Sequence, residues 1–226
     1  MSHPLDRPVW SSLSGRQAHL AIARGGALRM DPRFGLFAAV AEETPESLAA
    51  LGALVREHGN SGLVELSPPR PIPGTAVVSS ALCWQMAAKA ITPLKPVDFE
   101  IVALTDADAA QMLALATLTK PGPFFSRTHE LGEFVGVKVG GELAAMAGER
   151  MRPDGFTEVS GVCTRPDFRG QGYAAGLMAH VAGKILARGE TPFLHSYADN
   201  TGANALYRAL GFERRADVWF TVLAAV

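Results

Sequence analysis

Two cysteines in 226 residues, Cys83 and Cys163, are too few for a disulfide framework and lack metal-type spacing. The simplest expectation is a reduced, cytoplasmic setting. Charge of one sign is also missing. Lys and Arg number 21 against 22 Asp and Glu, a formal net charge of −1, so nothing argues electrostatically for nucleic acid or an anionic membrane as partner. No run is apolar over the length a bilayer span needs, and Met1-Ser-His-Pro-Leu-Asp-Arg-Pro8 has no apolar signal core. The six histidines have no ligand spacing, so no metal is expected. What is present is an ordinary globular composition, 48% hydrophobic and 19% charged, enough for one large domain or two small ones.

The first 30 residues carry weak signals: a turn at Ser11-Ser12-Leu13-Ser14-Gly15 and a short helix expected over 16–24. Phe34 to Val40 reads as a buried strand. Thr44-Pro45-Glu46 opens a helix with a capping hydroxyl, proline at the first helical position and an acid in the first turn; Gly59 closes it. Ser61 to Leu66 is a strand, 68–73 a proline-rich connector, and 81–90 a weaker segment. The prolines of Ile91-Thr-Pro93-Leu-Lys-Pro96 suggest a boundary, giving an N-terminal α/β domain over 1–95 and a second domain over 96–226. In the second, Phe99 to Leu104 is a strand and Thr105-Asp-Ala-Asp108 a capping box ahead of a helix. Gly140-Gly141 turns a hairpin between 134–138 and 143–146. A last strand covers 218–223.

The segment around which these elements are organised begins at Glu158. A strand, Glu158-Val-Ser-Gly-Val-Cys-Thr164, runs into a loop containing Arg169, Gly170 and Gly172. A helix starts at once, with Leu177, Met178, Val181, Ile185 and Leu186 on one side. A strand, a glycine turn and a helix N-terminus make a cradle for phosphate, because N–H groups without intrahelical partners and the helix dipole both favour an anion. Gly170-Gln-Gly172-Tyr-Ala-Ala175 fits the dinucleotide pattern G-x-G-x-x-G/A, and Asp199 follows the next strand. Against that, five residues separate strand from glycine where the dinucleotide turn is tight, and too little chain follows Asp199 for further βαβ units.

Arg169-x-x-Gly172-x-Ala174 resembles instead the Q/R-x-x-G-x-G/A signature of the GNAT superfamily, the acyl-CoA-dependent N-acyltransferases. Downstream, Asn200-Thr-Gly-Ala203-Asn-Ala-Leu206-Tyr207-Arg-Ala-Leu-Gly211-Phe212 is similar to that superfamily's N-x-x-A-x-x-L-Y-x-x-x-G-F helix at every named position. The resemblance covers about residues 98 to 226. It implies an α/β (α+β) fold, a mixed central sheet flanked by helices, preceded by a smaller N-terminal α/β domain whose strand–helix–strand order suggests a degenerate half of the same fold. After Phe212 there is room for about one strand where the superfamily has two, and the N-terminal half is the candidate to cover that edge.

The resemblance also implies chemistry. It makes the protein an N-acetyltransferase that moves an acetyl group from acetyl-CoA to a primary amine of a small molecule or peptide by direct attack, as monomer or homodimer. The alternative is a non-catalytic acyl-CoA-binding or sensing module. CoA would lie along the backbone of Val162, Cys163 and Thr164, with its pyrophosphate on the amides of Arg169, Gly170, Gln171, Gly172, Tyr173 and Ala174. Asn200, otherwise a helix cap, and Asn204 would reach the CoA arm. Tyr207 would protonate the departing thiolate; without the resemblance it reads as a core tyrosine. Period-2 alternation puts Glu158 on one face with Val162 and Thr164, at the family's general-base position, with an arginine-paired carboxylate as the other reading. Glu149 is the rival base, and a water wire is a third route. Cys163 alternates to the opposite face as a packed thiol. His195, Phe124, Arg127 and Glu149 are candidates for the acceptor pocket.

Overall fold

In this computed structural model, residues 3–94 and 98–226 are described. In chain order the elements are α1 (Pro8–Leu13), β1 (Ala21–Arg24), β2 (Ala27–Met30), β3 (Ala38–Val40), α2 (Pro45–His58), β4 (Ser61–Glu65) and β5 (Thr75–Ala87). Then follow β6 (Val102–Leu104), α3 (Ala109–Thr119), β7 (Phe134–Val139), β8 (Glu142–Glu149) and β9 (Phe156–Thr164). The chain closes with α4 (Tyr173–Ala187), β10 (Thr191–Tyr197), α5 (Thr201–Ala209) and β11 (Glu213–Ala225).

Local chemistry accounts for much of this. The Thr44 hydroxyl accepts from the Ser47 amide at 3.2 Å to cap α2, with Pro45 in the first turn. The Thr105/Asp108 box forms ahead of α3. Gly140 and Gly141, at φ +60° and +86°, turn the β7–β8 hairpin as two-residue turns of this hand require. The expectation over 16–24 is corrected. This segment forms a 3-10 turn, Ala18–Leu20, and strand β1, and the N-terminal helix is α1, with Pro8 in its first turn. Pairing of β1 with β2 across Gly25-Gly26 overrides the helix-favouring composition.

The strands form an antiparallel sheet β1-β2-β3 and an eight-stranded sheet in the order β4-β11-β5-β10-β9-β8-β7-β6. The large sheet is mixed: β9 and β10 are parallel and its other pairs antiparallel. Both halves of the sequence build it. β5, seen in the sequence only as a weak segment over 81–90, is a 13-residue strand paired with β10 on one side and β11 on the other. β4 adds outside β11. The second strand missing after Phe212 is thus supplied from residues 75–87. Of the connection at 91–96, Lys95 and Pro96 lie outside the described residues.

Alternation on β8 separates two cores. Ala145 and Ala147 pack with Leu177, Met178, Val181 and Ile185 of α4. Met146 packs with Met112 and Leu115 of α3. The central sheet is therefore held between helices, with a further core joining Phe37 and Val64 to Phe193 and Val218.

Candidate active site

The site begins where two parallel strands part. β9 and β10 pair only from Phe156↔Thr191 to Glu158↔Phe193. Beyond that point β9 stays with β8 as far as Thr164, and β10 stays with β5 as far as Tyr197. A gap opens between them, flanked by unpaired strand backbone. The Arg165 amide donates to the Ala144 carbonyl of β8 at 2.8 Å. By alternation, the main-chain groups of Thr164 and Val162 turn the other way, into the gap.

A bulge alters the side-chain faces. Between Ser160↔Gly148 and Cys163↔Met146, β9 has one residue more than β8, and Gly161 sits there at φ +64°. Val159 and Val162 consequently pack in the same core beneath α4, while Cys163 packs beneath α3. The expectation that Glu158 shares a face with Val162 and Thr164 is corrected, because one inserted residue reverses the period-2 alternation. Cys163 is buried, and loss of hydration pushes its thiol up to about 11.

At the far end of β9, Gly172 is the N-cap of α4 at φ +78°. No side chain caps this helix and its first turn has no acid. Its opening amides face outward from an exposed loop formed by Arg169, Gly170, Gln171 and Gly172. Tyr173 turns inward, its hydroxyl donating to Gln171 Oε1 at 2.8 Å and its ring edge-on to Phe99. Arg165 is engaged by Glu142 and Asp167. The Thr164 hydroxyl is buried without a hydrogen-bond partner. Uncapped amides suit a diphosphate and an unused hydroxyl suits an amide-bearing arm, so these residues fit CoA.

On the other wall, Asn200 Oδ1 accepts from the Ala203 amide at 3.3 Å and caps α5. Asn204 Nδ2 donates to the carbonyls of Tyr197 and Ala198, and its Oδ1 is buried without a partner. Tyr207 is half-buried, and burial pushes its phenol above the ordinary value. It therefore carries its proton at neutral pH. Tyr207 and Asn200 line a part-enclosed cavity with about 90 Å³ of room for water-sized molecules, enough for several waters. Phe37, Cys83, Phe220 and Pro121–Pro123 contribute apolar walls, and Arg150 and His195 contribute polar groups.

Beneath those polar groups lies Glu158, fully buried. Arg150 grips it with Nε and Nη2, both at 2.8 Å, and His195 Nδ1 stands 2.8 Å from Oε1. Burial alone would raise its pKa, but the attraction and hydrogen bonds of Arg150, and after them the hydrogen bond from His195, outweigh this and hold the carboxyl at about 2. The arginine-paired reading of this carboxylate is the one its surroundings favour. Glu149, also buried, points elsewhere: Arg188 beside the end of α4 donates to it at 2.6 Å, and it is absent from the cavity lining. Phe124 packs edge-on against Phe134, and Arg127 pairs with Glu130 while lying over the Phe34 ring. The loop they belong to borders the cavity through Pro121, Gly122 and Pro123. Of His195, Phe124, Arg127 and Glu149, only His195 lines this cavity.

Sequence reasoning missed Arg150, Phe37, Phe220 and Gln85. Gln85 had one usable signal, a lone amide inside the apolar run Ala81-Leu-Cys-Trp-Gln-Met-Ala87. Among the described residues no group of three or more His, Cys, Asp or Glu is arranged to hold a metal, and no helix is long and apolar enough to cross a membrane.

Comparison with known proteins places this geometry. Residues 134–220 match the family described as FR47-like protein. The chain is 47% identical to a GNAT-family protein of Novosphingobium aromaticivorans DSM 12444, for which acetyltransferase activity is itself an assignment. Both chains are covered over 100% of their length, with a TM-score of 0.92. A GCN5-related N-acetyltransferase from Kribbella flavida shares the fold at 22% identity and a TM-score of 0.60, over 93% of this chain and 94% of its own. So does a GCN5-related N-acetyltransferase-like protein from Streptococcus suis 89/1591, at 14% identity and 0.59, over 95% and 92%. No curated protein matches. The chain belongs to the GNAT family of acetyltransferases.

Proposed function

We propose that the protein is an N-acetyltransferase that uses acetyl-CoA and a primary amine, of a small molecule or a peptide, without a covalent enzyme intermediate. The observation that carries this reading is the parting of β9 and β10 after Glu158↔Phe193, with an uncapped helix start at one end of the gap and a protonated phenol in the wall of the adjoining cavity. Acetyl-CoA supplies the activated acyl group. Val162 and Thr164 bind its arm through main-chain groups, and the amides from Arg169 to Ala174 take its pyrophosphate.

The amine nitrogen forms a bond to the thioester carbonyl carbon, the carbon–sulfur bond breaks, Tyr207 gives its hydroxyl proton to the sulfur, and the nitrogen sheds its second proton as the amide forms, which through water restores the Tyr207 hydroxyl. The acceptor must first shed its ammonium proton. Glu158, with a carboxyl near 2, is a poor match for that task, since proton transfer is most efficient between groups tuned near the working pH. Its place in the mechanism is to hold Arg150 and His195. The proton leaves through water, for which the cavity has room.

The test is release of free thiol from acetyl-CoA with a panel of amino acids, peptides, polyamines and aminoglycosides. Turnover with one of them is expected, and Tyr207→Phe should slow it by about 10²–10⁴-fold while CoA still binds. Tight CoA binding with no turnover on any amine would favour a binding or sensing module.

A further inference from the structure

Gln85 reaches the site from β5, in the N-terminal half of the chain, and is fully buried. Its amide has three partners. Nε2 donates to the Leu5 carbonyl at 2.9 Å, Oε1 accepts from Arg215 Nη1 at 2.7 Å, and Nε2 stands 3.1 Å from His195 Nε2. Only one orientation satisfies them. Exchanging the amide oxygen and nitrogen would set carbonyl against carbonyl at Leu5 and N–H against guanidinium at Arg215. Gln85 therefore donates its second hydrogen to His195, and His195 Nε2 is an acceptor without a proton. On the other side of the ring, Nδ1 faces an ionised carboxylate and must carry its hydrogen.

We infer that Gln85 is a positioning residue that locks His195 as the neutral Nδ1–H tautomer and withholds it from proton uptake. A second proton would have to enter Nε2 head-on against an N–H. The amide cannot turn aside without abandoning Leu5 and Arg215, and Arg215 is itself anchored by Asp6. The purpose follows from the charges around the ring. From β9 comes Glu158, with Arg150 beyond it; from β5 come Gln85 and Cys83; from β11 comes Arg215; from the N-terminal segment comes Asp6; along β10 itself lies Tyr197, and Tyr207 also lines the cavity. An imidazole backed by a carboxylate is ordinarily biased toward protonation. Protonated His195 would add a second cation to a wall that already holds Arg150, in a cavity that has to admit an ammonium and let it lose its proton. Gln85 keeps that wall from gaining charge as the pH falls. The tautomer stands on geometry alone; its use in catalysis rests on the acetyltransferase reading.

Nitrogen-15 NMR of histidine-labelled protein tests this, with the His195 signals assigned by their loss in His195→Gln. The expected result for the wild type is an Nδ1–H tautomer that does not titrate between pH 5.5 and 8. Gln85→Met, which keeps the length and removes the donor, should bring His195 into titration in that range. In turnover assays the same variant should raise the acceptor KM as the pH falls, more than it lowers kcat, whereas a purely structural loss would lower activity at every pH alike. An Nε2–H tautomer, or ordinary titration of His195 in the wild type, overturns the inference even if Gln85→Met does not fold. A spectrum as expected together with no acetyl transfer would overturn the acetyltransferase reading and leave the lock standing.

Discussion

Glu158→Gln separates a structural carboxylate from a catalytic base. The substitution keeps shape and removes charge, leaving Arg150 buried against an amide that can match only part of its fork. In the folded protein the Glu158 carboxyl sits at about 2 against an ordinary 4.5. At about 1.36 kcal/mol per pH unit, this corresponds to about 3 kcal/mol of stability at neutral pH. Breaking a buried ion pair by removing one partner gives a similar figure, about 3–5 kcal/mol. The sign follows from the depressed value. The contribution is complete above 4.5 and is lost as the pH falls from there through about 2. Urea unfolding at pH 7 should show Glu158→Gln less stable by about 3 kcal/mol, with the difference shrinking below pH 4.5. Replacing both partners, as Arg150→Met with Glu158→Leu, should recover much of the loss. A loss under about 1 kcal/mol together with abolished turnover would refute this reasoning and return Glu158 to the role of proton acceptor.

Two further outcomes are expected. Gly172→Val should cost about 1–2 kcal/mol in thermal unfolding, since Gly172 is at φ +78° with open space around it and the cost is conformational; calorimetry should also show weakened CoA binding, because the opening amides of α4 are re-aimed. On β5, the residues before Leu82 face β11 alone, since β10 pairs no further than Cys83 and the Ala198 amide reaches only Leu82; Val78, at a bulge in the β11 pairing, is 60% exposed. Such an uncharged edge is prone to pair with another chain, so Val78→Lys should leave stability within about 0.5 kcal/mol and reduce light scattering at high concentration.

The elements readable from sequence are those whose cause is local. Thr44 and Pro45 announce α2, Gly140-Gly141 announces a hairpin, and the spacing from Arg169 to Ala174 announces a helix start without a cap. Gly25-Gly26 carried the same kind of message as Gly140-Gly141, but the helix-forming residues around it masked strand β1. What stayed hidden is set by distant pairing. Nothing near Thr75–Ala87 states that this strand lies between β10 and β11, so the half of the cavity built from Phe37, Val64 and Cys83, and Gln85 behind His195, could not be seen. Glu158 was found by position, but its meaning depends on Arg150 and His195, which reach it only once β8, β9 and β10 are aligned. The bulge at Gly161 is a smaller case: a single residue in the left-handed region undoes a face assignment that regular alternation had made secure.

The central claim is that an acyl-CoA lies in the gap between β9 and β10, and a crystal structure of the complex with CoA tests it most directly. The expected result is pyrophosphate on the amides from Arg169 to Ala174, the arm hydrogen-bonded to main-chain groups of Val162 and Thr164, and the sulfur within reach of the Tyr207 hydroxyl. CoA bound elsewhere with those amides still solvated, or a sulfur remote from Tyr207, would contradict it.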